Sequence, residues 1–282
     1  MSSTLDEVEN VEAWSGKGRA DENFPVGSLL IRRDLRKHVH AFYDFARNAD
    51  DIADSERLTA EDKIARLDRM EQVLLGQAHT GAPSATALRA SLDETSVTSK
   101  HAQDLLMAFR QDATKHRYAT WDELYDYCRY SAMPVGRHVL DLHGEPPATH
   151  TPSDILCASL QVLNHLQDCA SDLRTLDRCY LPLDLLEQHG SKIDDLRGNR
   201  ETSGLRSTFA ELLDRCDQLN ASARRLPLLV SDRRLRVECG VIVGLCERLT
   251  QRLRHNDPIA RRVKLRRTDV VMALLVGSRY FL

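Results

Sequence analysis

The amino-acid sequence predicts an all-α fold, and three observations support that prediction. Apolar residues recur at helical spacing in successive segments along the 282-residue chain. Several of these segments begin with residues that cap helix N-termini. No segment shows the strict alternation of polar and apolar residues that is typical of a half-buried strand. The connections are short, so residues 21–282 are predicted to form one helical domain, and residues 1–20 a flexible leader.

The composition excludes several classes of protein. The net charge is −3, and the Lys and Arg residues are dispersed among acids, which gives no electrostatic basis for binding nucleic acid. The seven cysteines form no Cys-x-x-Cys pair and predict reduced thiols in the cytoplasm. Residues 1–22 are polar and lack the apolar core of a signal peptide. No run reaches the ~20 apolar residues that span a bilayer.

Four helices are predicted in the first half of the chain. The first covers about residues 33–55. The second ends near residue 76 and begins at a capping box formed by Thr59 and Asp62. A loop of residues 76–83 leads to a short helix at about 84–92, and a further helix covers residues 99–116.

The second half is predicted to be helical as well. Thr120 and Glu123 form a capping box that opens a helix towards residue 142, and Pro134 is expected to kink or break it. Further helices are predicted at about residues 151–173, 208–229, 233–254 and 267–279, with a loop at 177–182. Residues 270–282 are predicted to form a packed terminal helix, with contact to a membrane surface as the alternative. The basic residues between 261 and 267 are interpreted as a solvated face, with anionic lipid or a phosphate group as alternative partners.

The first predicted helix contains an unusual cluster of acids. One side of that helix carries Tyr43, Arg47, Asp50 or Asp51, and Asp54, about one turn apart. Apolar residues flank this side. Carboxylates among apolar residues are costly to bury without a counter-charge. The acids are therefore either solvated or bridged by a cation.

A second polar stripe lies on the helix predicted at residues 151–173. Its members all carry side-chain oxygens and follow one another at i, i+3, i+7 and i+11: Gln161, Asn164, Asp168 and Asp172. Mg²⁺ prefers oxygen ligands and is typically held by one or two carboxylates plus substrate phosphates. Two such stripes facing each other across a bundle predict open half-sites that hold a diphosphate through Mg²⁺, rather than two solvated faces. The apolar remainder would shelter a hydrocarbon chain and its carbocation, with Tyr43 and Tyr127 contributing cation–π stabilisation.

These residues resemble the motifs of the squalene/phytoene synthase family of head-to-head prenyl transferases. The matching motifs are Tyr43-x-x-x-Arg47-x-x-Asp50-Asp51-x-x-Asp54, Tyr127-Cys128-x-Tyr130, Gln161-x-x-Asn164-x-x-x-Asp168-x-x-x-Asp172 and Arg178-Cys179-Tyr180-Leu181-Pro182. The resemblance covers about residues 23–265, with the motifs in family order. It implies an isoprenoid-synthase helical bundle with a central cavity, and an isoprenoid diphosphate substrate bound through two or three Mg²⁺ ions.

Within this family the sequence is most similar to the bacterial hydroxysqualene synthases of hopanoid synthesis. Asn164-His165-x-Gln167-Asp168 and Pro134-Val135-Gly136-Arg137 are among the segments that carry this likeness. It implies that presqualene diphosphate loses its diphosphate and that water captures the rearranged cation, so NADPH is not expected as a cofactor. One alternative is a condensing prenyl transferase, a presqualene diphosphate, squalene or phytoene synthase. The other is a non-catalytic family member that acts as a lipid-binding or assembly factor.

The resemblance also implies residue roles. Metal binding is assigned to Asp50, Asp51, Asp54, Asn164, Asp168 and Asp172. Diphosphate or substrate binding is assigned to Asn23, Phe24, Arg47, Gln161, Asn164 and Tyr180. Catalytic roles are assigned to Tyr43, Arg47 and Tyr127, whereas His165 lies off the second stripe and is assigned none. Peripheral contact with the inner membrane and contact with other enzymes of squalene synthesis stay open.

Overall fold

The computed structural model describes residues 10–12 and 30–281. The described residues fall into two compact units, residues 10–12 and 33–114 in the first and residues 30–32 and 115–281 in the second. Within these residues every regular element is a helix, and a single isolated bridge between Arg117 and Cys179 is the sole β pairing. The predicted all-α fold is confirmed.

The described part of the first unit contains four helices that pack against one another around α1. They are α1 (Arg36–Ala53), α2 (Ala60–Leu74), α3 (Pro83–Thr95) and α4 (Lys100–Asp112). α1 forms an amphipathic helix because Phe42, Phe45, Ala49 and Ile52 repeat at helical spacing and are all buried. Burying each of the larger side chains contributes roughly 1.5–3 kcal/mol. This packing fixes the opposite face of α1, which carries the predicted acids.

Local capping explains where α2 begins. The Thr59 hydroxyl accepts a hydrogen bond from the Asp62 N–H, so the predicted capping residue is confirmed. α3 instead begins at Pro83, a residue suited to a first helical turn. Of the predicted leader, the structure describes residues 10–12. There Glu12 accepts hydrogen bonds from the Ser84 N–H and hydroxyl, at 2.7 and 2.6 Å.

The described residues of the second unit form eight α-helices and two short 3-10 helices, Pro147–Thr149 and Ile193–Arg197. The α-helices are α5 (Trp121–Ser131), α6 (Met133–Leu142), α7 (His150–Thr175), α8 (Leu183–Gln188), α9 (Ser203–Ala223), α10 (Leu226–Leu229), α11 (Arg233–His255) and α12 (Arg267–Ser278). The predicted break near Pro134 is confirmed, because α5 ends at Ser131 and α6 begins at Met133. The helix predicted at residues 208–229 is two helices instead. Pro227 lies at the start of the second, where its missing N–H is tolerated.

α7 is the central helix of the second unit, in contact with α5, α6, α9 and α11. Buried polar side chains join three of these helices. The Ser159 hydroxyl on α7 donates to Asn220 Oδ1 on α9 at 2.7 Å, and Asn220 Nδ2 donates to Thr250 Oγ1 on α11 at 3.1 Å. Losing one partner would leave a buried polar group unsatisfied at a cost of about 1–3 kcal/mol. The network therefore holds α7 in one register against its neighbours.

Candidate active site

The first acidic cluster occupies the C-terminal turns of α1. Arg47 reaches one turn forward to two carboxylates, with Nη1 3.1 Å from Asp50 Oδ2 and Nη2 2.7 Å from Asp51 Oδ1. Asp54 is the C-cap residue of α1, and its N–H donates to the Asp50 carbonyl. The structure therefore brings Arg47 together with the acids that the sequence predicts as metal ligands. The side chain of Asp51 is buried, at 6% exposure.

The surroundings of Asp50 disfavour its charged form. The pKa of Asp50 is raised well above its usual value by burial first, then by Asp54, Asp51 and Asp112, whereas Arg47 opposes the rise. Asp112 was not predicted as a site residue. It is the last residue of α4 and is 4% exposed, which the sequence alone does not reveal. An additional cation beside Asp50 would relieve the repulsion.

The second cluster lies along α7. Its four members are half-buried: Gln161, Asn164, Asp168 and Asp172. The neighbouring Leu163 and Leu166 are buried on the other side of the helix. This packing fixes the orientation of the polar stripe as the sequence predicts.

An arginine from a distant part of the chain pairs with Asp168 of the second cluster. The guanidinium of Arg262, between α11 and α12, donates from Nε to Asp168 Oδ1 at 2.5 Å and from Nη2 to Oδ2 at 2.8 Å. Two parallel bonds of this kind are the strong form of an ion pair. The interpretation of residues 261–267 as a solvated face therefore misses Arg262, which lies 94 residues from its partner.

Gln167 helps to place this arginine. Its side-chain amide is buried and donates to the backbone carbonyl of Val263, the residue after Arg262. The segment that leads into α12 is thereby attached to α7 beside Asp168. Gln167 thus positions Arg262 through the backbone.

The donor atoms of both clusters suit a hard cation. Both contain carboxylate or amide oxygens, and Mg²⁺ prefers oxygen ligands. Among the described residues, no three His, Cys, Asp or Glu side chains converge closely enough to form a complete metal site. An open site of one or two carboxylates completed by substrate phosphates is the usual protein arrangement for Mg²⁺. The neighbouring acids Asp54, Asp51 and Asp112 contribute to the raised pKa of Asp50, and a cation placed among them would oppose that effect as Arg47 does.

Four aromatic rings form a buried group in the second unit. Tyr118 and Tyr127 lie 5.3 Å apart between ring centroids, and Tyr180 lies 5.6 Å from each of them. His165 on α7 stacks on Tyr180 at 3.6 Å, with 13° between the planes. Burial and then Arg178 lower the pKa of His165 to about 3, so its imidazole is neutral at physiological pH. The structure therefore brings Tyr127 and Tyr180 together, and His165 is a member of the group that the sequence did not reveal.

The remaining predicted residues are placed as follows. Tyr43 is half-buried on α1, in the first unit. Asn23 and Phe24 lie outside the described residues. The assignments of metal ligands and substrate contacts stay predictions.

Comparison with known proteins shows to which family this chain is similar. Residues 17–269 match the model of the squalene/phytoene synthase family. A hydroxysqualene synthase from Rhodopseudomonas palustris is 46% identical over 93% of this chain and 89% of that protein. One from Sinorhizobium fredii is 44% identical over 89% of this chain and 86% of that protein. The crystal structure of the squalene synthase HpnC from Alicyclobacillus acidocaldarius superposes with a TM-score of 0.74 at 37% identity, covering 84% of this chain and 90% of that one.

Proposed function

Because the chain belongs to the squalene/phytoene synthase family, we propose that it is a hydroxysqualene synthase, which converts presqualene diphosphate and water into hydroxysqualene and diphosphate. One observation carries this assignment. The chain is 46% identical to a hydroxysqualene synthase over 93% of its length. The acids of both clusters, which ionisation of a diphosphate needs, are present in the same chain.

Carboxylates and an amide on two helices are the proposed ligands of the metal ions. The proposed ligands are Asp50, Asp51 and Asp54 on α1 and Asn164, Asp168 and Asp172 on α7. When bound, Mg²⁺ neutralises the charge that develops on the diphosphate as its C–O bond breaks. Each set of ligands is held by a helix whose opposite face is buried, so the oxygens are positioned before the substrate arrives.

Arg47 and Arg262 exchange partners when the substrate binds. A guanidinium presents planar donors that fit phosphate as well as carboxylate. In the structure Arg47 neutralises Asp50 and Asp51, and Arg262 neutralises Asp168. With metal bound to these carboxylates, each guanidinium would be released from its ion pair and could donate to a phosphate group. Gln161, Tyr180, Asn23 and Phe24 complete the substrate-binding set that the family resemblance implies.

Aromatic rings stabilise the carbocation. The face of a tyrosine ring attracts a cation, and the attraction increases when water is excluded. Tyr127 and Tyr180 are 4% and 7% exposed, so their rings provide such a surface, and Tyr43 is assigned the same role. The oxygen of a water molecule then forms the new C–O bond with its lone pair, and its proton passes to the released diphosphate. NADPH takes no part in this sequence.

Product analysis with purified protein tests the proposal. Presqualene diphosphate is expected to give hydroxysqualene and diphosphate at the same rate with and without NADPH. An Asp168→Asn variant is the control for metal-dependent ionisation, because it keeps the volume of the side chain and removes its charge. Formation of squalene only when NADPH is present would contradict capture of the cation by water.

A condensing reaction is the second candidate. The family includes phytoene synthases, of which the Thermus thermophilus enzyme is 32% identical over 67% of this chain. The assay is incubation with farnesyl diphosphate alone. Conversion of farnesyl diphosphate to a coupled product would establish condensation and refute the assignment. A family member without activity, as a lipid-binding or assembly factor, would show no turnover of either substrate.

The hydrocarbon of the substrate implies a location. Presqualene diphosphate carries long isoprenoid chains, which partition into lipid. We therefore place the enzyme in the cytoplasm in peripheral contact with the inner membrane, where other enzymes of squalene synthesis can exchange substrates with it. No helix in the described part of the chain is long and apolar enough to cross a bilayer.

A further inference from the structure

The outer face of α12 exposes a continuous group of large apolar side chains. Its members are Val270, Val271, Met272, Leu274 and Leu275, which are 41–57% exposed. Phe281, at 59% exposure, follows the helix. Six of the eleven large hydrophobic residues that are exposed in the described chain therefore lie between positions 270 and 281. Exposed apolar residues are normally scattered, and a contiguous group indicates a binding surface.

The inner face of α12 is already fully packed. α12 crosses α11 closely at small residues, and a Cβ added to Gly277 would come within 2.4 Å of Val241 Cγ2. A Cβ at Gly240 would come within 2.6 Å of the Tyr280 ring. The buried Asp269 pairs with Arg252 on α11. This contact fixes the rotation of α12, so its apolar outer face cannot turn inward.

Positive charge surrounds this apolar face. Residues 260–281 contain the exposed cations Arg261, Lys264, Arg266, Arg267 and Arg279, together with Arg262. The acid of the same segment, Asp269, is 6% exposed and ion-paired. Arg267 and Arg279 lie at opposite ends of the helix, about 18 Å apart along its axis. Long cationic side chains at the ends of an apolar helix can extend to phosphate groups while the helix lies among acyl chains.

We propose that α12 docks the protein on an anionic lipid bilayer, with the apolar face buried at the interface and the flanking arginines on the headgroups. Both contributions, apolar burial and attraction to anionic lipid, set the strength of such binding. A second copy of the chain is a poorer occupant, because the same cations would then be brought together across the two-fold axis of a dimer. The docking surface rests on the proposed function in one respect only: its purpose would be to give the enzyme access to a lipid-soluble substrate.

Vesicle co-sedimentation with the full-length protein tests the surface. Binding to phosphatidylcholine vesicles that contain phosphatidylglycerol is expected to exceed binding to phosphatidylcholine alone by on the order of tenfold and to weaken with salt. The Val271→Asp/Leu275→Asp variant should lose more than tenfold in binding. The matched control is Met107→Asp/Leu228→Asp, at two exposed apolar residues elsewhere, which should bind like the native protein.

Variants that remove positive charge provide a second, independent test of vesicle binding. Arg267→Gln/Arg279→Gln should weaken binding to anionic vesicles on the order of tenfold, whereas Arg233→Gln/Arg234→Gln, with the same loss of charge, should not. Circular dichroism is measured for each variant to check that it is folded. Absence of binding by the native protein would overturn the proposal, as would unchanged binding by the α12 variants. A native dimer that Val271→Asp/Leu275→Asp dissociates would assign the face to a second copy.

Activity in detergent micelles separates this proposal from the proposed function. The α12 variants should turn over presqualene diphosphate in micelles at the native rate. If the native protein binds vesicles but has no turnover in micelles, the docking surface stands and the function is wrong. If turnover is present and vesicle binding is absent, the function stands and the docking surface is wrong.

Discussion

The ion pair between Arg262 and Asp168 allows a prediction in which two effects have opposite signs. Arg262→Gln removes both hydrogen bonds to Asp168 and the positive charge. The two side chains are 39% and 29% exposed, so solvent screens the pair and its loss should cost about 1 kcal/mol of stability. For a chain of this length that corresponds to a fall in Tm of roughly 2–4 °C without metal.

Turnover and metal binding should then move in opposite directions. The variant lacks a donor to the diphosphate, and a hydrogen bond to a charged group contributes about 1.5–3 kcal/mol. The value of kcat/KM for presqualene diphosphate should therefore fall roughly 10- to 100-fold. Mg²⁺ no longer competes with a guanidinium for Asp168, so a given Mg²⁺ concentration should raise the Tm of Arg262→Gln more than that of the native protein.

Scanning fluorimetry with increasing Mg²⁺ and an assay of diphosphate release measure the two effects. Arg261→Gln is the matched control, because it removes the same charge from an adjacent exposed residue. It should leave both quantities unchanged. A purely structural role for Arg262 predicts weaker Mg²⁺ stabilisation together with lower turnover. That result, or unchanged kcat/KM, would refute the reasoning.

Three further predictions follow from the acids of the first unit and the packing of α12. Only an ionised Asp50 binds metal, so Mg²⁺-dependent turnover should fall as the pH falls through the raised pKa of Asp50. Asp112→Asn removes a charge that repels Asp50, so the acid limb of the pH–rate profile should move to lower pH. Because folding raises the pKa of Asp50, its ionisation costs stability as pH rises above the unfolded value of about 3.9. Asp50→Asn should therefore raise the Tm at pH 7 without Mg²⁺ and leave the Tm unchanged near pH 3. The same variant should abolish turnover. An equal rise in Tm at both pH values would contradict this account. Gly240→Ala forces a Cβ to within 2.6 Å of Tyr280 and should cost about 1–3 kcal/mol in urea unfolding, whereas Gly244→Ala, at 3.2 Å from Ala273, should cost less.

Local chemistry explains which features could be predicted from the sequence. The capping threonines Thr59 and Thr120 and the break near Pro134 depend on residues within one or two turns, and the structure confirms all three. The polar stripe of α7 could likewise be predicted, because residues at helical spacing lie on one side of a helix. These features needed no knowledge of the rest of the chain.

Features that depend on distant residues could not be predicted. The partner of Asp168 lies 94 residues away, in a basic segment where the sequence alone did not distinguish Arg262 from its neighbours. Asp112 affects Asp50 only because α4 packs on α1. His165 lies off the polar stripe by helical period, and its role emerges from stacking on Tyr180, which comes from a loop. Tertiary packing decides each of these contacts.

The charges around Asp168 bear on which reaction the site supports. A condensing enzyme must bind two prenyl diphosphates, whereas hydration of presqualene diphosphate requires one. Each diphosphate brings several negative charges that must be neutralised by metal or by cationic side chains. Gln167, one residue before Asp168, contributes a neutral amide, and that amide is already used to hold the Val263 carbonyl. His165, two residues before Gln167 and part of the aromatic group, is neutral as well because burial lowers the pKa of its imidazole to about 3. Positive charge in this region therefore comes from Arg262, which pairs with Asp168, and from the buried Arg178, which lies close enough to His165 to lower its pKa, and neither Gln167 nor His165 adds to it.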